Sequence, residues 1–131
     1  MPQEDKFKRE IDRIGLVLAK LLDLLLDKGR FSNEEVAHFM QQCKTALNID
    51  IDEFLHMDKE AGLDLLIKDH QFSNENLRNF GHMLYDLAHK TDDENQKELL
   101  LNKALHIYEY LVNNSKGTLY LDVLYRMKEL Q

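Results

Sequence analysis

Phe31–Val36 reads FSNEEV, and 41 positions later Phe72–Leu77 reads FSNENL. Each copy is the grammar of a helix start. With Ser32 as the residue before the first turn, its hydroxyl accepts from the backbone N–H of Glu35, and the Glu35 side chain reaches back to the N–H of Ser32. Phe31 and Val36 then hold the two positions of a hydrophobic staple. The second copy places Phe72, Ser73 and Leu77 in the same roles, with Asn76 a weaker partner in the third turn position. Thr91-Asp92-Asp93-Glu94 repeats the pattern before a further helix. The repetition therefore satisfies orphan backbone donors and fixes chain entry. It is duplicated architecture.

Working outward from these starts gives helices throughout. A first helix spans about Glu4 to Lys28 and stops at Gly29, with Phe7, Ile11, Ile14, Leu18, Leu21, Leu22 and Leu25 on one face. A second follows Ser32 to about Leu47, burying Val36, Phe39, Met40, Cys43 and Ala46. Asp50–Met57 and Asp58–Asp69 read as two short helical pieces. A helix from Ser73 to about His89 turns Leu77, Phe80, Gly81, Leu84, Leu87 and Ala88 inward. Another spans about Asp92–Val112, and Asn113–Gly117 ends it. A last helix, Thr118–Leu130, carries Leu121, Leu124, Tyr125 and Met127 inward. No alternation of the kind a strand needs holds for more than a few residues. The expected fold is all-α, with six to seven helices.

Composition agrees and excludes several functions. One proline and five glycines in 131 residues are few for a chain of strands and tight turns. The net charge of −7 lacks the Lys and Arg excess that phosphate backbones demand, so neither nucleic acid nor an anionic membrane is expected as a partner. The basic cluster Lys6-Phe7-Lys8-Arg9 is interleaved with Glu4, Asp5 and Glu10 at helical spacing and reads as an ion-paired face. Cys43 is the single cysteine, which fits a reducing compartment. The N-terminus has no signal-peptide pattern, and the most apolar run, Ile14–Leu26, is broken by Lys20 and Asp23. The expected location is cytoplasmic.

The Ser73–Val112 helix pair resembles a tetratricopeptide repeat. Gly81 stands where that repeat wants a small residue in its first helix, Ala104 where it wants alanine in its second, and Tyr108 where it wants an aromatic one turn on. The spacing from Gly81 to Ala104 is longer than the family's, the closing proline is missing, and Met40 stands in the first copy where Gly81 stands in the second. The chain thus looks like a tetratricopeptide-like member of the small bacterial helical proteins. The resemblance implies antiparallel hairpins in a right-handed array and protein binding rather than catalysis. On this reading one domain, 1–131, comprises an N-terminal helix (1–30), a first helical unit (31–70), the tetratricopeptide-like pair (71–116) and a C-terminal helix (117–131).

Candidate sites are few. Asn79, His82, Tyr85, Asp86 and His89 share one side of the Ser73–His89 helix, with positions 82, 86 and 89 on one stripe opposite the apolar face. Such a stripe is a solvated face, the polar lining of a peptide-binding groove, or a zinc or nickel ligand set. The groove is the functional expectation, with a protein or peptide partner. Glu35-Val-Ala-His38 and Glu53-Phe-Leu-His56 match the Glu-x-x-His pairs of di-metal carboxylate bundles. Glu35 is committed to its capping box, however, and the helix holding Glu53 is short, so both pairs read as surface polar residues. No catalytic residue, metal ligand or cofactor is assigned. Cys43, on an apolar face, reads as a small packed hydrophobe. His106, beside Asn102, Lys103 and Glu109, reads as solvated. Leu16 and Leu24 lie off the buried face of the first helix, and Leu119, Tyr120 and Val123 exceed the inward set of the last. Leu16, Leu24, Tyr120 and Val123 are accordingly the expected self-association residues. The alternatives to an interaction module are a metal-binding or di-metal protein and a structural homodimer.

Overall fold

The computed structural model describes residues 2–26, 29–114 and 120–131, with side chains at Arg9 and from Asp12 onward within them. Phe7, Ile11, the charges around Lys6–Arg9 other than Arg9 itself, and the chain from Ser115 to Leu119 lie outside that description. Among the described residues the protein is all-helical. Its elements are α1 (Pro2–Leu26), α2 (Asn33–Leu47), α3 (Ile51–Leu55), α4 (Lys59–Asp64), α5 (Asn74–Ala88), α6 (Glu94–Asn114) and α7 (Leu121–Leu130). Among the described residues, no helix is long and apolar enough to cross a membrane.

The helix starts at Ser32 and Ser73 are made as the sequence predicts. The Glu35 N–H donates to Ser32 Oγ and the Ser32 N–H to Glu35 Oε1, both at 3.1 Å, closing the capping box. The Asn76 N–H donates to Ser73 Oγ at 3.1 Å. Asp50 and Asp58 cap α3 and α4 in the same way, accepting from Glu53 and Ala61. α6 starts two residues later than the Thr91 phrase implies: Asp93 is its cap and accepts from the Gln96 N–H, while Thr91 Oγ1 accepts from the Asp93 N–H at 3.3 Å. α2 stops because Asn48 takes the left-handed conformation (φ 59°). The segment expected as one helix over Asp58–Asp69 instead widens after α4 into a π-helical turn, Leu65–Asp69. The His70 N–H there reaches Leu65 O, and Gln71 follows at φ 55°.

α5 is the centre of the fold. Nine of its 15 residues are buried, because α1 and α6 pack on two of its sides. Phe80 is wrapped by Phe54 and Phe72 in edge-to-face contacts at 5.6 and 5.5 Å. Gly81 admits the close approach of α6: a Cβ there would lie 2.8 Å from Tyr108 Cε1. α1 is not buried all round. Ile14, Leu18, Leu21 and Leu25 form its inward stripe, while Leu16, Leu24 and Leu26 face outward.

The turns after α1 and α5 are joined. The Phe31 N–H donates to Lys90 O at 2.8 Å, giving an isolated parallel bridge between Phe31 and Thr91. Arg30 pairs with Asp92 at 2.5 Å, and the Lys90 ammonium lies 5.7 Å from the Phe31 ring centroid. The α1–α2 and α5–α6 hairpins are thereby tied at one end.

The last helix corrects two expectations. It starts at Leu121, and its roll differs from the predicted one: Val123 is fully buried, Met127 and Leu130 pack on the core, and Leu121 and Tyr125 face outward. Val123 is thus core, and Tyr120 is half-buried beneath the Arg78 guanidinium, 5.5 Å from its ring. On the same side of α7, the Asp122 carboxylate meets Arg78 and His82 of α5.

Candidate functional site

The polar stripe of α5 is where the chain departs most from a solvated surface. α7 lies over it, and its side chains interlock with those of α5 and α6. His82 is only 8 % exposed. Its Nε2 lies 2.9 Å from Asp122 Oδ2 and its Nδ1 2.8 Å from the Tyr108 hydroxyl. A carboxylate only accepts, so Nε2 carries the proton and donates to Asp122. Nδ1 is then left to accept from the Tyr108 O–H. Arg78 donates to the same Asp122 oxygen from Nε (3.0 Å) and a terminal nitrogen (2.7 Å), and to Glu75 at 2.8 Å. The carboxylate partner of His82 is therefore Asp122, 40 residues on, and not its neighbour Asp86.

Electrostatics fixes the protonation states. Burial lowers the pKa of His82 against the opposing pull of Asp122, so the ring is neutral near pH 7. Burial alone would raise Asp122, but the bonds from Arg78 and His82 hold it well below the usual carboxylate range. Burial raises Tyr108 far above an ordinary phenol. The outer edge of the interface is a second contact set. The Tyr85 hydroxyl donates to Glu129 and, mainly through desolvation, is pushed up to about 12. Arg126 stacks 5.3 Å above the Tyr85 ring, with its Nε enclosed and without a hydrogen bond.

A tyrosine, an imidazole and a carboxylate in line have the form of a proton relay. Tyr108 is fully buried, however, and no solvent-borne group reaches it. Chemically the arrangement is a clamp: it holds α7 by charge-assisted hydrogen bonds, which are the stronger kind.

Of the five residues expected to line a partner groove, His82 is sealed under α7 and Tyr85 is engaged by it. Asn79 is half-buried. Asp86 and His89 stay at the rim. The His89 Nδ1–H donates to Tyr85 O at 2.8 Å, and burial raises the Asp86 carboxyl. With Leu25, Leu26, Gly29, Arg30 and Lys90 they border a depression of about 430 Å³ at the tied end of the two hairpins. Leu24 borders another, of about 450 Å³, with His38 and Phe39. Glu35, Glu53, His38 and His56 do not converge. Among the described residues, no three His, Cys, Asp or Glu side chains are grouped to hold a metal ion. Cys43 is fully buried, with Sγ 3.9 Å from Met83 Sδ, and desolvation pushes its thiol up to about 12.

Sequence reasoning missed Lys103. Expected on a solvated stripe, it is 3 % exposed; its ammonium donates to Met57 O and lies 5.6 Å from the Phe54 ring centroid. The signal was available: Lys103 falls beside Ala104 and between Leu100 and Ile107, a position whose long stem can cross apolar surface to a carbonyl. Burial lowers its pKa, and that of neighbouring half-buried His106, whose Nδ1 is enclosed without a partner.

A comparison of the chain with known protein families, with curated proteins and with solved structures finds no match.

Proposed function

We propose that this protein is a non-catalytic protein–protein interaction module, its helical hairpins arranged as a tetratricopeptide-like array. The observation that carries the reading is Leu26. It is 72 % exposed, and it borders the depression in which Arg30, Asp86, His89 and Lys90 also stand. A large apolar side chain beside mixed charges suits a peptide segment with an apolar anchor and polar flanks. The closed state of the Tyr108–His82–Asp122 chain supports the same reading, since the polar constellation nearest to catalytic form is spent on holding α7. The acidic composition and lone buried cysteine favour the cytoplasm.

The test is affinity purification from the native host, comparing wild type with Asp86→Ala/His89→Ala and with Leu26→Ser. His82 is left intact, because its loss would loosen α7 and confound the result. A protein recovered in stoichiometric amount with wild type and lost with both folded variants is expected. The same partner set from all three would remove this depression as the docking site.

A further inference from the structure

We infer that the outward face of α1 packs antiparallel against α1 of a second copy of this chain. Arg9, Asp12, Leu16, Lys20 and Asp23 are all exposed, Leu16 to 67 %. Their spacing of three, four, four and three residues places them on one stripe. That stripe lies opposite the buried one formed by Ile14, Leu18, Leu21 and Leu25. Along the chain it reads positive, negative, apolar, positive, negative. Reversed, each charge meets its opposite. A two-fold axis through Leu16 sets Arg9 against the partner's Asp23 and Asp12 against the partner's Lys20, each twice, around a Leu16–Leu16 contact.

The complementarity selects this register. An axis through Lys20 would lay two ammonium groups on each other, and a parallel pairing in register would match every charge with its like. The paired stretch is about 21 Å long at 1.5 Å per residue. Its area is small, which fits a reversible contact governed by charge. The inference goes beyond the interaction reading, since it needs no second protein and does not use the Leu26 depression.

Sedimentation velocity over a concentration series at low salt tests it, with Lys20→Glu and Asp12→Lys as variants. Both positions are exposed and both new residues favour helix, so circular dichroism is expected to stay unchanged. Wild type is expected to associate reversibly and to weaken as salt rises. Either variant alone sets like charges together twice and raises the dissociation constant about tenfold or more. An equimolar mixture of the two is expected to restore association, because the introduced charges then face opposite ones. Wild type that stays monomeric at low salt, single variants that associate as tightly as wild type, or a mixture that remains monomeric would each overturn the proposal. Partner capture by Leu26→Ser reads a different surface, so failure of one reading is distinct from failure of the other.

Discussion

α2 and α5 open on nearly the same six residues, and each runs for 15. Both serines cap, and both leading phenylalanines are buried. Beyond the first turn they diverge. α2 buries four residues on one side and leaves Met40 and Ala46 half-buried, whereas α5 buries nine. The residue three positions after each capping serine records the difference. Glu35 stands where the side chain stays partly in water and can complete the reciprocal cap. Asn76 is 2 % exposed, with its Oδ1 3.5 Å from where a Cβ on Gly15 of α1 would be. A carboxylate there would lose its hydration on burial, and a neutral amide avoids that cost. The same start signal is thus compatible with a peripheral and a central helix.

Exchanging Glu35 and Asn76 probes the comparison hardest. Asn76→Glu is expected to cost about 3 kcal/mol or more in urea unfolding, through a charge placed in a buried site. The loss should shrink at acid pH as the new carboxyl protonates. Glu35→Asn should cost only about 0.5 kcal/mol, the loss of one reciprocal cap bond at a half-exposed site. Equal losses would mean that the burial of α5 does not decide the choice of residue.

The cover that α7 gives α5, and α2 lacks, comes next. Asp122→Asn removes the acceptor of both Arg78 and His82 and should destabilise the protein by about 1–3 kcal/mol. Hydrogen exchange should accelerate first in α7, with α2 unaffected. A uniform rise across the chain would show that α7 is not a separable layer.

The clamp also predicts a pH dependence. His82 has a folded pKa below its unfolded value, so the unfolded chain binds more protons in the window between the two. Its contribution is full above about pH 6.5 and is lost as pH falls from there toward the folded value. Asp122, also lowered, adds a loss of the same sign in more acidic solution, below its unfolded value. His70 and His106 are lowered too, and raised Asp86 works in the opposite sense. The His82 share is therefore the difference between wild type and His82→Gln in unfolding free energy between pH 7.5 and 5.5, values chosen about one unit either side of 6.5. Identical slopes would place the ring in water.

The smallest effect concerns the caps themselves. Ser32→Ala and Ser73→Ala should each cost about 1 kcal/mol and differ by less than about 0.5, since the cap bond is local in both. A large difference would tie capping to burial after all.

Much of this was legible from residues alone. The caps at Ser32 and Ser73 were, because an N-cap bond spans three residues and depends on nothing further away. The inward sides of α1, α2 and α5 followed from apolar spacing over three or four turns. Lys103 and α7 were not legible for a common reason. Lys103 is buried by a carbonyl from a loop 46 residues earlier, and α7 is apolar on so many sides that spacing cannot choose its roll. Val123 and Tyr120 were read as surface for that reason. Helical spacing sets His82, Asp86 and His89 along one stripe, but nothing local names the helix that seals His82.

By itself, the sequence determined what acts over a few residues: where helices start, which face each long one buries, and the opposed charges along α1. Only the tertiary structure decided that α5 lies at the centre and that Asp122 reaches back to His82 and Arg78. It also decided that Leu26, Asp86 and His89 meet at one end. Those outcomes depend on contacts between segments 40 and more residues apart, and no local pattern encodes which of several polar groups will be sealed from water when the segments close.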